Sequence, residues 1–154
     1  VRTLQDAGRT AFSLFCDDLR QEVGGKQTLV GVYSGAQVEI NQAPPLILPR
    51  MCVVTHIFTP LTSPFKRLAI DARWNGAVLQ RVEPEVNWLA EIQKMKGPPD
   101  AKVWNVQAAL VLQPFAVSEA GVLRMYVTMD NEEFESNGLN FHFNLPSQQV
   151  ATTF

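Results

Sequence analysis

The sequence predicts a mostly β chain folded as an antiparallel β-sandwich, immunoglobulin-like or similar, with one crossover helix at about 84–96. Three observations carry this. Apolar and polar residues alternate with the period of a half-buried strand in several separate segments, against a single segment with a helical period. Tight-turn sequences such as Gly24-Gly25, Asn75-Gly76 and Asn137-Gly138 punctuate them. At 154 residues, 46% of them hydrophobic and 18% charged, the chain suits one domain that buries about two-thirds of its unfolded surface. We therefore read residues 1–10 as a tail and 11–154 as a single β-sandwich domain.

The first hairpin runs from Phe12 to Gly35. Phe12, Leu14 and Cys16 alternate, as do Thr28, Val30 and Val32 after Gly24-Gly25. With the two glycines as central turn residues, Val23 faces Lys26. Cys16 and Leu19 differ in parity, so an extra residue at Asp17-Asp18, a β-bulge, is expected to place Phe12, Leu14, Cys16, Leu19 and Val23 on one buried face. Val38 to Ile40 adds a short strand, and the proline-rich stretch Gln42 to Pro49 crosses over and closes one end of the core. Met51 to Thr59 is apolar on both faces and reads as a central strand.

Leu68, Ile70, Ala72 and Trp74 alternate with Arg67, Ala69, Asp71 and Arg73, a strand with one wet face that returns through Asn75-Gly76 as Ala77 to Val82. The helix follows: Pro84 suits its first turn, Glu83 and Glu85 its positive end, Lys94 and Lys96 its negative end, and Gly97-Pro98-Pro99 stops it. Val86, Trp88, Leu89, Ile92 and Met95 form its apolar face. Trp104, Val106, Ala108, Leu110 and Leu112 face the core from a long strand. Leu123, Met125, Val127 and Met129 repeat the pattern after a turn at Glu119-Ala120-Gly121. Turns are expected at Asp130 to Glu133 and at Asn137-Gly138, before Leu139, Phe141, Phe143 and Leu145 alternate in a last strand.

The run Phe15-Cys16-Asp17-Asp18, Glu22, Gly24-Gly25-Lys26 and Leu29-Val30-Gly31-Val32-Tyr33 resembles the opening of a family of small bacterial and bacteriophage proteins known only as a domain of unknown function. The similarity continues through Leu48-Pro49-Arg50-Met51-Cys52-Val53-Val54, and more faintly from Gly121 to Asp130, covering the chain after residue 10. The resemblance implies a bacterial or phage origin and no established activity, and it brings no catalytic residues to carry over.

Composition narrows the function classes. A net charge of −2 gives no basic footprint for nucleic acid, and Lys94, Lys96 and Lys102 are flanked by acidic residues. No apolar run approaches the ~20 residues of a membrane span and no signal peptide opens the chain, so a cytoplasmic location, in a bacterial cell or infected host, is the expectation. Cys16 and Cys52 sit in strand patterns, where a thiol packs as a small hydrophobe and no disulfide is expected in a reducing compartment.

Four constellations invite chemistry. Gly24-Gly25-Lys26-Gln27-Thr28 resembles a phosphate loop, but Arg20 and Gln27 stand where glycine and a hydroxyl are needed, and a turn explains it better. Cys52 and His56 share a face of one strand ~13 Å apart, too far for a shared zinc, and Cys16 beside them leaves the ligand set short. Asp17 and Asp18 with Asp130, Glu132 and Glu133 suggest calcium only if loops at one end of the sandwich gather them, and their spacing matches no dedicated calcium loop. If the strands around Met51 to Thr59 and Lys66 to Asn75 pair, His56 and Asp71 lie diagonally on one face and resemble an oriented general base, though no nucleophile elbow accompanies them. His142, between Asn140 and Asn144, reads as solvated, and Trp74, Trp88 and Trp104 read as core packing.

The leading functional expectation is a non-catalytic protein–protein interaction domain without cofactor or metal, a phage or prophage accessory protein that binds and modulates a host bacterial protein. One alternative is a structural or decoration component of a virion or similar assembly, in which case the chain is a homo-oligomer. The other is an unrecognised hydrolase using His56 and Asp71. The candidate partner-binding residues are Asp17, Asp18, Arg20, Glu22 and Lys26 at the tip of the first hairpin, where fixed charges on a rigid support suit oriented recognition; a self-compensating solvated strand explains the same row.

Overall fold

The computed structural model describes residues 1–2, 8–95 and 97–144. Residues 3–7 of the tail expected over residues 1–10, Lys96 at the helix end and Leu145 in the last strand fall outside them. The elements are β1 (Thr10–Cys16), β2 (Asp18–Gln21), β3 (Gln27–Val30), β4 (Gln37–Ile40), β5 (Leu46–Leu48), β6 (Met51–Pro60), β7 (Leu68–Trp74), β8 (Ala77–Val82), α1 (Val86–Gln93), β9 (Val103–Leu112), β10 (Phe115–Val117), β11 (Gly121–Met129) and β12 (Glu132–Phe143). They form a three-stranded sheet in the order β1-β6-β9, a five-stranded sheet β4-β12-β11-β7-β8, and two two-stranded pairs, β10-β5 and β2-β3. Among the described residues every pairing is antiparallel except β12 with β4, which is parallel because β4 arrives from β3 through residues 31–36 and not by a tight turn from β12.

Alternation decides what faces inward. Met51, Val53 and Ile57 of β6 meet Leu123, Met125, Val127 and Met129 of β11 and Leu139 and Phe141 of β12 in one apolar cluster between the two larger sheets. Each such side chain is worth roughly 1.5–3 kcal/mol when fully buried. Phe115 and Phe141 pack edge to face with Trp74 close to both, sealing one end, where half-buried Leu46 and Leu48 also pack. Asn75, at φ 47°, and Gly76 make the expected hairpin between β7 and β8.

Several expectations need correction. In β1 the core-facing residues are Ala11, Ser13 and Phe15, and Phe12 is 42% exposed, because β1 borders β12 on that side. Asn137-Gly138 is not a turn: β12 runs through it, and two residues, Ser136 and Asn137, bulge opposite Met125. Gly138 is needed there, since a Cβ would lie 2.7 Å from Val122 Cγ1 and 2.9 Å from Arg124 Nε. The helix is shorter than 84–96. Glu85 is its N-cap, Val86 and Trp88 are half exposed and Met95, beyond its end, more so, because Leu89 is the one helix residue that is fully buried in the core.

The bulge also places a buried hydroxyl cluster. Ser13 Oγ lies 2.9 Å from both Thr55 Oγ1 and Ser136 Oγ, so β1, β6 and β12 are joined through the interior. Asn137 then closes the outer edge of β1: its Oδ1 accepts the Ser13 amide at 2.7 Å and its Nδ2 donates to the Ser13 carbonyl at 2.9 Å.

Candidate functional site

The hairpin begins where the chain changes sheets. β1 ends at Cys16, and the Asp17 amide donates not to β6 but to the Val30 carbonyl at 2.9 Å, turning the strand into β2. The irregularity expected at Asp17-Asp18 is therefore present, as a junction between two sheets. On the return, the Tyr33 amide donates to the Phe15 carbonyl at 2.9 Å, and Gly31 passes so close that a Cβ there would sit 2.1 Å from Asp17 Oδ2. Gly31 also has φ 66°, a region other residues resist.

Side chains then brace the base. The Tyr33 hydroxyl donates to Asp17 Oδ1 at 3.3 Å. Burial first, then the neighbouring Asp17 carboxylate, pushes the Tyr33 phenol up to about 12, so it keeps its proton. Arg50, at the entry to β6, reaches Asp18 Oδ1 at 3.0 Å, and Arg20 Nε lies 3.7 Å from Asp18 Oδ2. Further out, Thr28 donates to Glu22 Oε1 at 3.0 Å.

At the tip the expected two-residue turn is replaced by a longer one. The Glu22 amide donates to the Lys26 carbonyl at 2.8 Å, so Glu22 faces Lys26 and the loop is Val23-Gly24-Gly25. Gly24 and Gly25 both have positive φ, 81° and 73°, which the reversal requires. Val23, expected on a buried face with Leu19, is instead 92% exposed at the apex, with exposed Glu22 and Lys26 on either side. Of the five candidate residues, Asp17, Asp18, Arg20 and Glu22 are engaged within the hairpin or its base, and Lys26 has no side-chain partner among the described residues. Sequence reasoning missed Val23 as an apex, and Tyr33 and Arg50 as braces. Only the glycine pair hinted at the first, and nothing local signals the second.

The other constellations come apart. β6 pairs with β1 and β9, and β7 pairs with β8 and β11, so His56 and Asp71 belong to different sheets and do not meet. His56 stacks on Phe12, with ring centroids 4.7 Å apart, and its Nδ1 lies 3.1 Å from the Gln107 amide nitrogen; burial makes the ring harder to protonate. Asp71, expected on a wet face, is 2% exposed because two arginines cover it: Arg73 at 2.8 Å and Arg81 at 2.9 Å. Arg73 also binds Glu133 and lies 4.1 Å above the Tyr126 ring, and Arg81 also binds Glu83, so each Asp71 oxygen is held by an arginine.

Cys16 and Cys52 are direct cross-strand partners, both buried, and burial, then Cys52 and the nearby carboxylates, push the Cys16 thiol up to about 11. A thiol so placed is a weak nucleophile at neutral pH. The carboxylates considered for calcium separate to opposite ends of β1. Asp130 binds Arg9 just before the strand, whereas Asp17 follows its last residue, ~20 Å away by strand rise. No group of three His, Cys, Asp or Glu side chains suited to a metal occurs among the described residues. His142 is exposed, as expected, and Trp88 is half exposed, unlike a core residue. No described helix is long and apolar enough to cross a membrane.

The chain belongs to a family of unknown function, DUF6941, whose model matches residues 11–142. No curated protein matches it.

Proposed function

We propose that this member of an uncharacterised family is a non-catalytic protein-binding module that engages its partner with the tip of the β2–β3 hairpin. The observation that carries this reading is Val23, 92% exposed at the apex of a two-stranded pair that, among the described residues, hydrogen-bonds to no other strand and is braced at its base. An exposed apolar apex between an anion and a cation offers a small desolvating contact plus oriented charge, the combination that fixes partner choice. The separation of His56 from Asp71 and the closed pairing of Asp71 weigh against the hydrolase alternative. On this reading the protein is a bacterial or phage accessory factor acting in the cytoplasm on a host protein.

The test is capture from bacterial lysate by tagged wild type and by a Val23→Asp, Lys26→Glu variant. These positions are chosen over Asp18 and Arg20 because reversing Asp18 would also break its pair with Arg50. The expected outcome is loss of the captured protein at an unchanged melting temperature; a variant that melts normally and captures the same protein as well as wild type removes the hairpin from the reading.

A further inference from the structure

The edges of the two larger sheets are not treated alike. β1 is closed by Asn137, β4 is only four residues long and carries Glu39, and β8 is interrupted by a register shift at its pairing with Ala72 and Arg73 and carries Arg81. These are the devices that keep strand edges from pairing with other chains. β9 has none of them. It is ten residues long, uncharged, without proline, and pairs with β6 in unbroken register from Val103 to Leu112.

The register also says which groups are free. Because Ser13 turns its amide and carbonyl away from β6, Leu14 and Val54 bond to each other, and Val53 and Thr55 turn toward β9. The even-numbered β9 residues therefore bond to β6, and Val103, Asn105, Gln107, Ala109 and Val111 point their amides and carbonyls outward, with no backbone partner among the described residues.

We infer that β9 is a homodimerisation edge, at which a second copy of this chain adds its own β9 antiparallel across a two-fold axis at Gln107. The occupant follows from self-complementarity. With Gln107 opposite its symmetry mate, Asn105 meets Ala109 and Val103 meets Val111, so every outward-pointing residue faces another, as a hydrogen-bonded ladder requires. On the inner side Trp104 meets Leu110 and Val106 meets Ala108, and no charge opposes a like charge anywhere along the strand. The apolar surface beside the edge fits the same occupant. A cleft of about 350 Å³ lined by Ile70, Val82, Trp88, Val106 and Ala108 opens between β8 and β9, and Trp88 is 49% exposed at its mouth. A two-fold about Gln107 brings the two clefts together, covering both tryptophans. This interface is independent of the hairpin reading: β9 and the hairpin lie on different sheets and are probed by different substitutions.

The experiment is sedimentation of the full chain across ~1–300 μM, the range in which a symmetric edge contact of modest area saturates. Wild type is expected to pass from monomer to dimer. Gln107→Lys places two cations in contact at the axis and is expected to remain a monomer over the whole range. It also removes the Gln107–His56 contact, so its melt at low concentration is compared with wild type to show that the fold survives. Mixing Gln107→Lys with Gln107→Glu restores a dimer if the residues face each other. A wild type monomeric throughout overturns the inference, even if some other protein binds the edge. So does a dimer that persists in the folded lysine variant, or a mixture that stays monomeric.

Discussion

β1 and β9 are the two outer strands of the same three-stranded sheet, and they meet their surroundings in opposite ways. Both are uncharged and alternate in the same manner. β1 is fastened: Asn137 takes both polar groups of Ser13, Tyr33 takes the Phe15 carbonyl, and Arg9 just ahead of the strand binds Asp130 at 3.0 Å. β9 faces a cleft, and its outward backbone groups have no backbone partner among the described residues. The difference lies in what the second sheet sets beside each strand. A bulge in β12 brings an amide side chain to one edge, and a helix that fully buries only Leu89 leaves a cleft beside the other.

This contrast can be broken from either side. The largest effect is expected from Leu110→Pro, which removes an amide that bonds to Val53 and a fully buried side chain, costing more than ~3 kcal/mol in urea unfolding. Asn137→Ala strips both partners from Ser13 and leaves its backbone groups unsatisfied at a buried position, for about 2–4 kcal/mol. A double-mutant cycle with Ser136→Ala should show coupling of about 1 kcal/mol, since both residues share the same hydroxyl cluster.

The third test uses pH. Burial opposes ionisation of Asp130, but the amides of Lys66 and Arg67 and the Arg9 guanidinium outweigh it and hold the carboxyl below its usual range. The folded state thus binds this proton less readily than the unfolded chain. Its contribution is complete above the unfolded pKa, about 4, and is lost as pH falls through the lower folded value. Asp130→Asn is therefore expected to flatten the acid limb of the stability profile without changing behaviour at β9. The smallest effect belongs to Ala109→Pro. Its amide has no partner among the described residues, so unfolding of the dilute protein should shift by no more than ~0.5 kcal/mol, while dimer sedimentation is lost. A large destabilisation by Ala109→Pro would mean that the two edges are alike after all.

Strand existence was legible wherever one face repeats at period two, as in Leu123 to Met129, because a sheet with one buried face imposes that period on its own sequence. The Asn75-Gly76 hairpin was legible because its backbone conformation selects its residues. The same local rule misread Asn137-Gly138, where the glycine serves close packing against Val122 and Arg124 and the asparagine caps a strand 124 positions away. It also assigned β1 the wrong inner face, since Phe12, Leu14 and Cys16 are no less apolar than the residues that point inward.

What the sequence determined by itself was the β class, the helix and the glycine tip of the first hairpin, all set by neighbours within a few residues. Tertiary structure alone decided which strands share a sheet, and with that whether His56 meets Asp71, whether Asp71 is wet or buried, and whether an edge is closed. These outcomes depend on side chains brought together from distant positions, as with Asp71 beneath Arg73 and Arg81 and Ser13 beside Asn137. A period of two fixes which way a residue points, but not what stands opposite it.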